Sequence, residues 1–159
     1  MNRPVRRTRG GDYKLSLAAE ERALLAGLAP RMREVLADGD DPVVERLLPV
    51  AYPDDPDRQT EYRLLVQDEL IESHKGALEV LEETADADRL DEEQLLAWMR
   101  AINQVRLVMG ERLSVTEDGS ERPTSPDDPR VPGYAIYDYL SGLQDDIVGE
   151  LAAGDQDDS

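Results

Sequence analysis

The chain has no cysteine among its 159 residues and only one histidine. Without thiols it can form neither a disulfide scaffold, nor a thiolate nucleophile, nor a cysteine-ligated metal site. The single histidine, His74, has no nucleophile at a recognisable spacing and is typical of a satisfied helix-face residue. The sequence also lacks a glycine-rich phosphate cradle and the spacing of a calcium loop. We therefore expect a protein that is not an enzyme and that holds no cofactor or metal.

Long apolar runs are also missing. No stretch approaches the roughly 20 apolar residues that a membrane span needs. The arginines of "MNRPVRRTRGG" have no hydrophobic segment behind them, so this segment does not resemble a signal peptide. We expect a cytoplasmic protein that makes no membrane contact.

Acidic side chains outnumber basic ones by 36 to 18, which gives a net charge of -18. Residues 1–14 carry a charge of +4, so the rest of the chain carries -22. The strongly acidic remainder of the chain repels the phosphates of nucleic acid, so we do not expect direct DNA binding. We predict that residues 1–12 form a disordered basic arm, which is either simply solvated or a partner contact through Arg6 and Arg7.

The spacing of apolar residues predicts a mainly α fold, a single compact domain of four or five helices over residues 13–152. Helical patterns follow Ala18, occupy "DPVVERLLP", extend from about Arg58 to Glu83, follow Asp91 and cover "YAIYDYLSGLQDDIVGELAA". Pro30 should kink or restart the first helix. Asp91 and Gln94 have the spacing of a capping box.

Smaller features complete the predicted domain. Alternation in "YKLSLA" predicts a short strand near Tyr13, which could pair with one in "SVTED" as a minor two-stranded element. Residues 117–133, rich in proline, serine and acid, should form a mobile loop. Residues 153–159 should form a disordered acidic tail.

The most apolar segment, "LLAWMRAINQVRLVMGERLSV", places a cation on its core face. On a helical wheel Arg106 lies within the apolar arc, and Asn103 borders the same arc. A buried guanidinium needs a carboxylate, and Glu69 interrupts the stripe of the preceding helix in a similar way. We predict a structural ion pair between Arg106 and Glu69, assisted by Asn103.

Alternatives to this pair remain open. Glu61 or Asp68 could replace Glu69, or the guanidinium of Arg106 could reach the rim with only its stem buried. On the same helix, Arg100 and Arg112 are candidate contacts to a partner.

Four segments of the chain resemble a known family: "DPVVERLLPVAYPDD", "EYRLLVQDEL", "WMRAINQVRLVMGERLSV" and "YDYLSGLQDDIV". They are similar to successive blocks of the actinobacterial domain-of-unknown-function family that includes AosR-type oxidative-stress regulators. The resemblance extends from about Glu20 to Leu151. The matching positions of the central block are Trp98, Arg100, Ala101, Asn103, Arg106, Leu107, Gly110, Arg112 and Leu113.

The resemblance implies a regulatory, protein-binding role. It implies transcription regulation in the oxidative stress response through a sigma factor or RNA polymerase. The family's gene neighbourhood implies the alternative of an adaptor or accessory factor linked to ClpS and Clp proteolysis. The chain departs from the family in one respect: redox sensing there relies on a cysteine pair, and this sequence has none. Thiol sensing is therefore not carried over, whereas the fold and the protein-binding role are; a homodimer is compatible with the sequence.

Overall fold

The protein is mainly α-helical, as the sequence predicts. The computed structural model describes residues 3–37, 50–114 and 122–157, with side chains up to residue 154. Along the chain, the described elements are β1 (Val5–Arg7), β2 (Tyr13–Leu15), α1 (Ala19–Ala37), α2 (Pro56–Thr84), β3 (Arg89–Leu90), α3 (Glu92–Leu113) and α4 (Val131–Asp157). The helix predicted in residues 41–49 and nearly all of the strand predicted in 114–118 lie outside the described residues.

Local sequence signals explain the helix boundaries. Asp55 caps α2 by accepting a hydrogen bond from the Arg58 amide at 3.2 Å, and Pro56 occupies the first turn, where a missing N–H costs nothing. The predicted capping box of α3 is confirmed. The Gln94 amide donates to the Asp91 side chain at 2.8 Å, and the Asp91 amide donates to the Gln94 side chain at 2.9 Å. At Pro30, α1 continues as one helix.

The β element has three antiparallel strands in the order β1-β2-β3, which corrects the prediction of two. β2 pairs with β1 and with β3. The prediction that residues 1–12 are disordered is also wrong, because Val5–Arg7 form a strand in which Val5 is fully buried. The turn between β1 and β2 passes through Gly11 at a φ of 92°, a conformation that glycine adopts without strain.

The two faces of the sheet differ in chemistry. One face packs into the core through Val5, Tyr13, Leu15 and Leu90, all at most 3% exposed. The opposite face points to solvent and carries Arg6, Lys14 and Arg89. The register pairs Arg6 with Lys14 and Lys14 with Arg89, so these three side chains form one row across the strands. We call this row the basic stripe.

The core is built where α1, α2, α3 and α4 pack in sequence against one another and against the sheet. Trp98 of α3 lies at its centre with no exposed surface. Its indole N–H donates to the Thr84 hydroxyl at 2.6 Å, so the buried polar atom is satisfied. α2 contributes its buried residues, Ala77, Leu78 and Leu81, only from its C-terminal part.

The end of α4 corrects the predicted disorder of residues 153–159, since the helix continues to Asp157. It is anchored on β1. The Arg7 amide donates to a Glu150 carboxylate oxygen at 3.3 Å, and the Arg7 guanidinium donates to the Gly154 carbonyl at 3.5 Å. A Cβ at Gly154 would stand 2.9 Å from the Tyr13 hydroxyl, so the glycine permits this close approach.

The start of α4 shortens the predicted loop of residues 117–133, because Val131 is already helical. Before it, the Arg122 guanidinium forms two hydrogen bonds of 2.9 Å with the Asp138 carboxylate. This cation holds the pKa of Asp138 below its usual value.

Candidate protein-interaction site

Arg106 lies on the core side of α3, as predicted, but the predicted partner is wrong. Its Nε donates to the Ser141 hydroxyl at 3.0 Å and its Nη1 donates to the Gln144 amide oxygen, both on α4. The ring of Tyr137 lies 5.6 Å from the guanidinium carbon. Glu69 is exposed on α2. Among the residues that the structure describes, no carboxylate lies within salt-bridge distance of Arg106.

Asn103 assists this arrangement indirectly. Its side-chain oxygen accepts a hydrogen bond of 3.4 Å from the Gln144 amide nitrogen, and Gln144 in turn accepts from Arg106. Neutral acceptors suffice because Arg106 is only half-buried, so its remaining donors reach water. The signal that could have identified these partners is the pair of polar residues, Ser141 and Gln144, spaced by three within the apolar pattern of the last helix.

The four arginines predicted to contact a partner have different surroundings. Arg6 is exposed on the outer face of the sheet, whereas Arg7 is half-buried and turned towards α4. Arg100 is exposed on α3. Arg112, also exposed, lines an apolar groove of about 280 Å³ between α1, α3 and α4, together with Arg31. These side chains do not form a single site.

Among the large apolar side chains that the structure describes, the two most exposed lie on α2. Leu64 is 71% exposed and Leu65 is 82% exposed. No residue of α2 before Ala77 is buried, so the first two-thirds of this helix lie along the surface of the molecule. Leu65 is an apolar position of the helix predicted from about Arg58 to Glu83, but the structure places it in solvent rather than in the core. Two adjacent leucines left in water on a helix are typical of a contact surface rather than of a core.

Carboxylates surround this leucine pair. Glu61 and Asp68 lie one turn before and one turn after both leucines, and Glu69 lies one turn after Leu65. All three carboxylates are exposed. Within the described ranges, no basic side chain lies within salt-bridge distance of any of them. The surface therefore combines apolar contact area with unneutralised negative charge.

A folded-back segment extends the apolar part of this surface. The Gln59 side-chain oxygen accepts hydrogen bonds of 2.9 Å from the Ala51 and Tyr52 amides. The Tyr52 ring meets the Tyr62 ring edge-on, with centroids 6.1 Å apart, and Tyr62 lies one turn before Leu65. We call the surface formed by Tyr52, Tyr62, Leu64, Leu65, Glu61, Asp68 and Glu69 the acid–apolar face.

Other kinds of site find no support in the part of the chain that is described. No three histidine, aspartate or glutamate side chains there are placed to hold a metal ion. No helix there is both long and apolar enough to cross a membrane. His74 lies half-buried on α2.

The structure thus defines a mainly α-helical protein with a small antiparallel sheet and an exposed acid–apolar face. The chain belongs to the DUF2017 family, a domain of unknown function, whose model matches residues 2–151. It is similar to the oxidative stress regulator AosR of Mycobacterium bovis and to that of Mycobacterium tuberculosis. Each is 29% identical in an alignment of 179 positions, which covers 87% of this chain and 82% of the relative. No solved structure matches the chain.

Proposed function

We propose that the protein is a non-enzymatic regulator that binds a basic protein partner through the acid–apolar face. The observation that carries this proposal is the exposure of Leu64 and Leu65 between unpaired carboxylates. When a partner covers the leucines, apolar surface is removed from water. The hydrophobic free energy gained is about 25 cal/mol per Å² of that surface. The carboxylates select a partner with lysine or arginine at the rim of its contact area.

The charge of the whole chain acts in the same direction. A net charge of -18 attracts a basic surface from a distance and raises the rate of encounter. It also disfavours association of the acid–apolar face with the same face of a second copy, because like charges would meet in the contact. The face therefore suits a different protein better than self-association.

The relatives named oxidative stress regulators support a regulatory role. The family resemblance implies a sigma factor or RNA polymerase as the partner. A basic amphipathic helix of such a protein could pack its apolar side on Leu64 and Leu65 and place its cations near Glu61, Asp68 and Glu69. Such a helix-on-helix contact buries a stripe of residues spaced by three and four.

A charge-neutral pair of substitutions tests this proposal. We expect Leu64→Gln with Leu65→Gln to weaken binding to the purified sigma factor or RNA polymerase at least tenfold, because both apolar contacts are lost. The matched control is Leu107→Gln with Val148→Gln, which changes two exposed apolar residues elsewhere, 44% and 45% exposed. Equal binding by both double variants and the unmodified protein would refute the proposed surface.

Co-purification from native lysate with quantitative mass spectrometry identifies the partner. We expect sigma factor or RNA polymerase subunits to be retained by the unmodified protein and by the control, and lost with Leu64→Gln and Leu65→Gln. Recovery of ClpS or other Clp components in that pattern would instead support the adaptor role. Binding that is insensitive to salt would contradict the proposed charge complementarity.

A further inference from the structure

The outer face of the sheet concentrates positive charge in an acidic molecule. The basic stripe joins Arg6, Lys14 and Arg89, one from each strand, on the face turned to solvent. Directly opposed side chains in a sheet have Cβ atoms about 5 Å apart. Three cations therefore lie within about 10 Å, whereas the chain as a whole carries -18.

This arrangement opposes the stability of the sheet. Like charges directly opposite each other on neighbouring strands are destabilising. Arg89 is partly compensated by Asp12, whose carboxylate lies 3.5 Å from the guanidinium. Arg6 and Lys14 have no hydrogen-bond or ion-pair partner within the part of the molecule that the structure describes. Their charges are therefore exposed and available to an anionic ligand.

We propose that the basic stripe binds an acidic segment of a protein. In an extended segment, alternate side chains lie on the same side about 7 Å apart, so two carboxylates can reach the three cations. The planar guanidinium of Arg6 can donate two parallel hydrogen bonds to a carboxylate, and the ammonium of Lys14 lies on a flexible side chain beside it. The segment would lie across the solvent face of the strands, where the side chains of Arg6, Lys14 and Arg89 are exposed.

The surrounding charge favours a short acidic segment over nucleic acid. The phosphates of a nucleic acid extend far beyond a stripe of about 10 Å. Those beyond the stripe would be repelled by the negative charge of the rest of the molecule. An acidic peptide segment can confine its charge to the length of the stripe. The shape and the charge therefore point to a protein ligand.

The stripe is separate from the acid–apolar face. From Leu65 to Thr84, its last residue, α2 rises about 28 Å, at 1.5 Å per residue. The two surfaces have opposite charge, and the chain enters β3 of the stripe only after the end of α2 that is distant from Leu65. The molecule can thus hold a basic and an acidic partner at the same time, although the stripe can bind its ligand whether or not the acid–apolar face binds its own.

The test uses the full chain and two labelled probes, a peptide whose four consecutive glutamates are flanked by glycine and serine, so that its charge spans only about 13 Å, and a single-stranded deoxyoligonucleotide of ten residues. Fluorescence anisotropy is measured at 100 mM salt, where the screening length of about 10 Å reduces repulsion from the body and preserves contacts at the stripe. We expect saturable binding of the glutamate peptide, and we expect Arg6→Gln with Lys14→Gln to weaken it about tenfold. The matched control, Arg31→Gln with Arg58→Gln, removes the same charge from exposed arginines on α1 and α2 and should change affinity less than twofold.

Thermal unfolding of the same variants provides the second measurement. Because Arg6 and Lys14 repel each other, Arg6→Gln with Lys14→Gln should keep or raise the melting temperature, so weaker peptide binding would not reflect unfolding. The proposal is overturned if the glutamate peptide fails to saturate, if both double variants lose equal affinity, or if the oligonucleotide binds more tightly than the peptide. None of these results would bear on partner binding by the acid–apolar face.

Discussion

Arg106 retains its charge at the edge of the core with neutral partners. The Ser141 hydroxyl and the Gln144 amide oxygen accept two of its donors, and the Tyr137 ring lies beside the cation. Partial exposure leaves the other donors accessible to water, so the desolvation cost of a fully buried ion is avoided. The residue therefore fixes α3 against α4 rather than against α2.

A double-mutant cycle distinguishes these two possibilities. We expect Arg106→Met to lower the free energy of unfolding by about 1–3 kcal/mol, because hydrogen bonds to a charged group are lost. Urea denaturation of Arg106→Met, Gln144→Leu and their combination should reveal a favourable coupling between the two positions. With Glu69→Leu in place of Gln144→Leu, the effects should simply add. A coupling to Glu69 alone would restore the predicted ion pair.

Tyr139 supplies a prediction for alkaline pH. Burial raises the pKa of its hydroxyl above the ordinary value of 10.0, and the nearby Glu21 carboxylate adds to the shift. Below pH 10 the hydroxyl keeps its proton in both the folded and the unfolded chain. Above pH 10 the hydroxyl of the unfolded chain releases its proton first. The free energy of unfolding therefore falls as the pH rises beyond about 10.

We expect Tyr139→Phe to make the loss of stability above pH 10 less steep, as measured by urea unfolding between pH 8 and pH 11. Tyr52→Phe is the matched control, because it removes a hydroxyl from a tyrosine that is 40% exposed. Identical slopes for all three proteins would show that Tyr139 makes no contribution there.

At the scale of elements, β1 is part of the domain even though its sequence resembles a charged tail. Val5 is fully buried, and Arg3 and Arg7 both contact Glu150 of α4. Removing the strand would expose the edge of β2 and part of the core beneath it. Point substitutions, rather than truncation, are therefore the appropriate way to examine the charges of this segment.

Deleting residues 1–11 should lower the melting temperature. Loss of the buried Val5 side chain alone costs about 1.5–3 kcal/mol, and the strand pairing is lost with it. Circular dichroism on heating measures this effect, with Arg6→Gln as the control that changes charge and leaves the strand in place. An unchanged melting temperature after deletion would mean that β1 contributes nothing to stability.

Local signals in the sequence predicted the helices well. They did not predict which helices pack against one another. The Asp91–Gln94 box was readable because its two members are three residues apart. A helical wheel assigned Arg106 to the inner side of α3, but it carries no information about which helix packs there. Leu65 fitted an apolar pattern that does not reveal whether a neighbour covers it. Strands of two or three residues, such as β1 and β3, are too short to display a period.

At the scale of the whole molecule, the absence of cysteine makes the expected response to oxidants different from thiol sensing. We expect peroxide at concentrations that oxidise thiols to leave partner affinity and oligomeric state unchanged. Met99 and Met109 are partly buried against the core, and their oxidation would weaken packing rather than act as a switch. Binding titrations and size-exclusion chromatography before and after treatment provide the measurement. A change that a thiol reductant reverses would contradict this prediction.

The contact between β1 and α4 also determines the order of folding. Arg3 and Glu150 are 147 positions apart, whereas Trp98 and Thr84 are only 14 apart. Closing the longer loop costs about 2 kcal/mol more in chain entropy, so the helices should associate first. During synthesis β1 leaves the ribosome before α4 and cannot dock until α4 has followed. We therefore expect β1 to remain accessible to proteases and chaperones until α4 has been made.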